Sequence, residues 1–492
     1  MRLEVLEEPD LIFGSGKQSI DQKLGLIQHG PCGLSQGRND PPRVVRAGVV
    51  ATIPTLANLR QFLQILRQRI SPEGESRKKP WLVEFPGLGG KSLLKFDIRI
   101  DEDKVETIWP EEEARALATT NRLEKIENTV KLYEKKVSTL LEVSGVHHPE
   151  VLLLPISHET MSQCKDPNLA QEKIIYHRRT MAKRKRQVPT DFPLLDFHNV
   201  LKVIGMEHNL PVQVIRPSTL SLRGSGLQDP ATIAWNISVA ALYKGTGSPW
   251  KLADLDMNTC YVGIAFYVEV GEESNLRAAM AQVYLRTGES QVIRGKPFKW
   301  TDTRHRDPTL TEEQAHDILE DVVELYRDQW HRDPSRVVVH KRSAFRPTEI
   351  TGFTSAVDKT AKLDLVHVYH TSSTRLYHLD RECGYPPMRG TLLTKDGTPD
   401  GVLYTSGFVK ALGTYPGPAV PWPLRFSCDK LSSDPRTIAT DIMSLTKLDW
   451  NSTDFSTSEP VTLSVAEKVG EILSETRARG IRNPPQGYRF YM

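Results

Sequence analysis

Two lysines, an imidazole and an amide lie in one stretch of this chain at spacings that would let them converge on a terminal phosphate. His198 and Lys202 are four residues apart, so on a helix they share one face. Gln213 follows the turn Asn209-Leu-Pro211 and offers an amide, and Lys244 ends a later segment beside Gly245 and Gly247. Such a set supplies positive charge and several hydrogen-bond donors, which is what phosphate oxygens require. On spacing alone, ordinary surface polar residues are the simpler account. The run from Tyr176 to Arg186, with six Lys or Arg in eleven positions, reads either as a solvated surface segment or as a patch that tracks phosphates. Phe85-Pro-Gly-Leu-Gly-Gly-Lys91-Ser92 ends like a phosphate loop but has Phe85 where the first glycine is needed. A turn before a strand over Leu93 to Ile98 is therefore expected, and nucleotide hydrolysis is not.

The elements that must position these groups are legible from periodicity. The apolar run Ala47 to Ile53 predicts a strand, and Leu59, Phe62, Leu63 and Leu66 predict a helix over Leu56 to Arg69. The charged segment Pro110 to Val143 carries Leu117, Leu123, Ile126, Val130, Tyr133 and Val137 at roughly helical spacing and predicts one or two amphipathic helices. Val151-Leu-Leu-Leu-Pro155 reads as a buried parallel strand. A helix over Phe197 to Glu207, a strand over Pro211 to Ile215 and a helix over Thr232 to Tyr243 complete an open α/β layer ending near residue 250. Beyond it come strands over Cys260 to Val270, Ala278 to Leu285 and Ser290 to Arg294, with a turn at Thr287-Gly288. A helix opened by the capping box Thr309-Leu-Thr-Glu312 then leads to the apolar strand Val337-Val-Val339. This is the order of an RNase H-like sheet, so two units are expected, 1–250 and 251–492.

Composition narrows the function classes. At 492 residues, 39% hydrophobic and 25% charged, the chain is long enough for several cores. With 64 Lys and Arg against 61 Asp and Glu, any polyanion site has to come from local clustering rather than overall basicity. Cys32, Cys164, Cys260, Cys383 and Cys428 are scattered, which suits reduced thiols and argues against a zinc ribbon or a disulfide framework. The acidic start Met1-Arg-Leu-Glu-Val-Leu-Glu-Glu has no signal-peptide core and no later run is long enough to span a bilayer, so a cytoplasmic protein is expected.

His198-Asn-Val-Leu-Lys202, Asn209-Leu-Pro-Val-Gln213 and Asn236-Ile-Ser-Val-Ala-Ala-Leu-Tyr-Lys244 resemble the MID domain of Argonaute proteins. Tyr261-Val-Gly-Ile-Ala265, Val338-Val-His-Lys-Arg342, Leu445-Thr-Lys-Leu-Asp-Trp-Asn451 and Pro460-Val-Thr-Leu463 resemble a PIWI domain. The opening Glu8-Pro-Asp-Leu-Ile-Phe-Gly14 with Gly30-Pro31 looks like the start of a short prokaryotic Argonaute lacking N and PAZ domains. The resemblance implies a Rossmann-like MID domain followed by an RNase H-like PIWI domain. It assigns His198, Lys202, Gln213 and Lys244 to the 5′-phosphate of a guide strand. It further implies a Mg²⁺ ion held by Gln213 and the terminal carboxylate of Met492, an all-oxygen donor set that suits that ion.

Catalytic PIWI domains use carboxylates to hold two metal ions across the scissile phosphate. The first belongs where this chain has Ala265 and the second near Lys341 or Arg342, so the resemblance implies a chain that does not cut. Arg342, with Arg178, Arg179, Lys183 and Arg184, becomes a candidate backbone contact. The implied function is a guide RNA displayed to single-stranded DNA of plasmid or phage, with an APAZ-containing effector partner that degrades NAD⁺. A sirtuin-like effector is the first choice and a TIR effector the second. Two alternatives compete: an active nuclease with displaced carboxylates at Glu269 or Glu349, and a general single-strand binder.

Overall fold

The computed structural model describes residues 1–33, 43–90, 92, 94–143, 148–164, 196–222, 227–245, 247–253, 258–268, 276–284, 290–299, 308–371, 374–377, 379, 385–417, 420–430 and 432–492. The basic run with Arg178, Arg179, Lys183 and Arg184, the Thr287-Gly288 turn, Cys383 and Glu269 lie outside them. Cys32, Cys164, Cys260 and Cys428 carry free thiols.

The first layer is a parallel four-stranded sheet in the order Phe96–Ile108, Arg43–Thr52, Val151–Pro155, Val212–Ile215. Alternation along the strands buries both faces. Val45, Ala47, Val49 and Ala51 point into one core, with Leu59, Phe62 and Leu66 of the helix Ile53–Leu66. Val50, Leu152 and Leu154 point the other way, onto Ile126, Val130 and Tyr133 of Arg122–Val143 and Val200, Leu201 and Ile204 of Phe197–Glu207. A parallel sheet covered on both faces by helices is the doubly wound arrangement expected from the apolar runs.

One local expectation needs correction, and another is made definite. The strand placed at Leu93 to Ile98 begins at Phe96 and runs thirteen residues to Ile108. Its charged middle, Arg99 to Asp103, hid it, because an edge strand can keep polar side chains in water. The segment Pro110 to Val143 forms two helices, Pro110–Ala116 and Arg122–Val143, with the Asn121 carboxamide accepting from Leu123 N and Glu124 N at the second start.

The second layer is a ten-stranded mixed sheet. At its centre Arg336–Lys341 runs parallel to both Thr259–Val268 and Lys362–His370, and Leu276–Tyr284 returns antiparallel against Thr259–Val268. Val262, Ile264, Val337 and Val339 face the helix Glu312–Trp330 and Phe353 of the helix Pro347–Ser355. Tyr261, Tyr267 and Val338 face the opposite core, where Pro435–Leu445, Val461–Ser464 and Ala466–Ala478 pack. That core is continuous with the one beneath the first layer. The N-terminal strand Arg2–Val5 also pairs with Thr391–Thr394 in this second sheet, so residues that open the chain complete the later unit.

Strand and helix approach very closely at Gly263. A methyl group there would overlap the carbonyl oxygen of Thr462 and press on its Cβ. Gly263→Ala is therefore expected to lift the helix Val461–Ser464 off the sheet and to cost about 1–3 kcal/mol in denaturant unfolding. Unchanged stability would show that this contact is looser than its geometry indicates.

Candidate nucleic-acid interface

Asp196 starts the helix Phe197–Glu207, its carboxylate accepting from His198 N at 3.0 Å and Asn199 N at 3.3 Å. Lys202 follows one turn later and is buried, and its Nζ donates to the carbonyl of Tyr491 at 3.2 Å. Gln213 lies on the strand Val212–Ile215, and Lys244 ends the helix Pro230–Lys244, fully buried. The Lys244 ammonium donates to Gln213 Oε1 at 2.7 Å and to Val212 O at 2.9 Å. Lys202, Gln213 and Lys244 are thus drawn together, with His198 within electrostatic reach of both lysines.

The cluster gathers basic groups whose charged forms burial disfavours, with Asp196 and Glu471 also within electrostatic reach of Lys202. Burial, and then Lys468, pushes the Lys202 ammonium down to about 7. Burial, and then Lys202, holds Lys244 well below its ordinary value. His198 is lowered by burial first and by Lys202 and Arg216 next. Groups that resist protonation because they are buried beside one another gain most from an incoming anion. Arg216, Lys468 and the Tyr491 carbonyl were missed by sequence reasoning. They reach the pocket from other elements, and no spacing rule links them to His198.

The C-terminal segment is packed rather than loose, with Tyr488, Phe490, Tyr491 and Met492 buried. Tyr243 stacks on Trp450 at 4.6 Å and lies 6.4 Å from Tyr488, tying the helix of Lys244 to the tail. Gln213 Oε1, the oxygen that the resemblance offers to a Mg²⁺ ion, accepts from the Lys244 ammonium, so an ion there would have to displace that contact.

The second cluster lies at the C-terminal end of the parallel strands. Lys341 pairs with Ile264 in the parallel register, which makes Arg342 and Ala265 neighbours one step beyond. Ala265 packs toward the core under Val461–Ser464. Lys341 turns to the opposite face, fully buried, where its Nζ sits 2.6 Å from both oxygens of the buried Glu349. Glu349 also accepts from Leu310 N at 3.1 Å and Arg346 N at 2.8 Å. It therefore caps a helix on the face away from Ala265, and Arg342 rather than Lys341 stands beside Ala265.

Arg342 is half-exposed, and its Nη2 contacts Glu459 Oε2 at 2.6 Å and Leu463 O at 3.2 Å. His370 Nε2 lies 3.2 Å from the other Glu459 oxygen. Burial raises the Glu459 carboxyl, but the His370 contact and the Arg342 charge outweigh it and hold the group below its ordinary value. Past the end of the same strand, the Arg375 guanidinium lies 3.9 Å over the half-exposed Trp422 ring and donates to Pro421 O at 3.1 Å. A stacked cation on an open aromatic suits nucleic acid.

The fold is that of Argonaute and Piwi proteins, a MID layer joined to a PIWI sheet. The chain is similar to Clostridium butyricum Argonaute bound to a guide DNA and a 19-mer target DNA, with a TM-score of 0.63 and 16% identity over 96% of this chain and 53% of that one. It is also similar to Drosophila Piwi, with a TM-score of 0.60 and 12% identity over 100% of this chain and 56% of that one. Against A. aeolicus Argonaute with externally bound siRNA the TM-score is 0.56 and the identity 13%, over 99% of this chain and 56% of that one. The chain thus spans about half the length of these proteins. It matches no protein-family model and none of the curated proteins. Among the described residues, no helix is long and apolar enough to cross a membrane.

Proposed function

We propose that this chain is a guide-binding Argonaute of the short type that recognises nucleic acid without cutting it. The convergence of Lys202, Gln213 and Lys244 beside His198, basic groups whose charged forms burial disfavours, carries the reading. A guide's 5′-phosphate supplies the missing anion: each lysine gains a charge-assisted hydrogen bond, and the cost of burying two like charges falls. Gln213 and the Met492 carboxylate would hold a Mg²⁺ ion, which when bound supplies further positive charge against the first phosphates of the guide.

The guide is then displayed along the edge where the parallel strands of the second sheet end, and base pairing selects the target while the protein holds backbone. With Ala265 and Arg342 side by side, that edge presents a methyl group and a cation where a metal-dependent nuclease needs carboxylates. Glu349, one proposed replacement, is committed to Lys341 on the other face. We further propose guide RNA and single-stranded DNA of plasmid or phage as the strands. The output falls to an APAZ-containing effector that degrades NAD⁺, sirtuin-like in the first place and TIR in the second, in a cytoplasmic complex. What supports an effector is the chemistry this chain gives up at Ala265 and Arg342.

The test is to isolate the protein from cells that carry a plasmid, then sequence and end-label its nucleic acid and identify co-purifying proteins. Short RNAs of narrow length with 5′-phosphates are expected. Guide-loaded protein with complementary DNA and Mg²⁺ or Mn²⁺ should leave the target whole. A single cleavage site on the target would overturn the non-cutting reading, and nucleic acid without a common 5′ end would favour a general single-strand binder.

A further inference from the structure

The ion pair at Arg342 has a geometry that metal replacement alone does not explain. If the cation served only to hold a phosphate backbone, it would be expected to stand free. Instead it is engaged by Glu459, which is mostly buried and flanked on its other oxygen by His370. The Arg342 carbonyl lies 3.0 Å from His367 Nε2. Glu459 lies two residues before the helix Val461–Ser464, and Arg342 also donates to Leu463 O within it. A carboxylate presents two oxygens to a guanidinium much as a phosphate does.

We propose that Glu459 is an internal stand-in for a backbone phosphate, forming a latch on Arg342 that an extended guide–target duplex must displace. The inference rests on the guide-binding reading above and deepens it by naming what sets the length of duplex that binds well. The pocket around Lys202 and Lys244 fixes the 5′ end of the guide. Arg342 lies on a different element, just past the strand Arg336–Lys341, so a phosphate that it holds is one other than the guide's 5′-terminal phosphate. A short duplex leaves Arg342 with Glu459. A longer one exchanges carboxylate for phosphate, and the closeness of Glu459 to the incoming strand opposes that exchange. The device makes each paired nucleotide near the pocket count fully and taxes those beyond it, which favours uninterrupted pairing over partial matches.

The experiment measures target affinity of protein loaded with a 5′-phosphorylated guide. One DNA target is complementary only to the 5′ end of the guide, and the other is complementary along its whole length. Glu459→Gln should tighten the full-length target about fivefold, the scale of a partly exposed ion pair, and leave the short target unchanged. Arg342→Ala should abolish that gain and lower the salt dependence of full-length binding by about one unit of slope, again sparing the short target. Both variants should unfold near the wild-type temperature. Should Glu459→Gln destabilise the chain, the Arg342→Ala contrast between the two targets decides alone. Equal effects on both targets, or none on either while the guide's 5′-phosphate preference persists, would overturn the latch. Loss of that preference in the wild-type protein would instead bring down the guide reading itself.

Discussion

Lys244→Met and Lys202→Met should each erase most of the preference for a 5′-phosphorylated strand while leaving binding of a 5′-hydroxyl strand nearly unchanged. Lys244 sits at the centre of the pocket, its ammonium 2.7 Å from Gln213 Oε1, and methionine keeps the length of the side chain without its charge. A hydrogen bond from a buried cation to a phosphate contributes about 1.5–3 kcal/mol, so each change should weaken phosphorylated guide by about ten- to a hundredfold. The same lysines give the site a pH signature. Lys202 titrates at about 7 in the guide-free chain because it is buried beside other cations. Phosphate favours its charged form, so above that value each binding event takes up a proton, and affinity should fall by up to about tenfold per pH unit. Stability of the guide-free chain should run the other way. Lys202 has a folded value below its ordinary 10.5, the unfolded chain binds more protons between the two, and stability therefore rises with pH across that window. Isothermal titration and thermal unfolding across pH 6 to about 9 would check both slopes. Parallel slopes, or phosphate preference intact in Lys244→Met, would argue against the pocket.

Lys341→Ala should be among the most damaging single changes in the second sheet. It removes the cation that faces the fully buried Glu349 and leaves a carboxylate without its counter-charge, a change that costs about 3–5 kcal/mol. Replacing both partners with apolar side chains, Lys341→Met with Glu349→Leu, should recover much of the loss, although Leu310 N and Arg346 N would lose the acceptor they now share. Denaturant unfolding of the two single variants and the double variant measures the coupling. Additive losses would mean that the pair is not coupled. The experiment bears on function as well. A carboxylate whose removal acts through stability, and which lies on the face away from Ala265, is a structural cap and not a displaced catalytic group.

Much of this was legible in the sequence because the deciding patterns are local. Four residues from His198 to Lys202 place two side chains on one helix face, and Val337-Val-Val339 announces a strand buried on both sides. What the sequence hid depends on register and on distant partners. Whether Lys341 or Arg342 stands beside Ala265 turns on a one-residue shift, which moves a side chain to the other face of the sheet. The pairing of Lys341 with Ile264 resolves it. Lys468, Arg216 and Tyr491 enter the pocket from elements far along the chain, and Glu459 meets Arg342 across 117 residues. The strand Phe96–Ile108 is longer than its apolar residues suggest because its charged middle lies at the edge of a sheet, a position visible only once its neighbours are known.

Terminal-phosphate recognition is decided by one measurement: the affinity of the intact wild-type chain for two otherwise identical single strands, one ending in a 5′-phosphate and one in a 5′-hydroxyl, measured near neutral pH. With two buried lysines awaiting an anion, the phosphorylated strand should bind at least about tenfold tighter. Equal affinities would contradict guide binding, because Lys202, Gln213 and Lys244 would then hold no terminal phosphate.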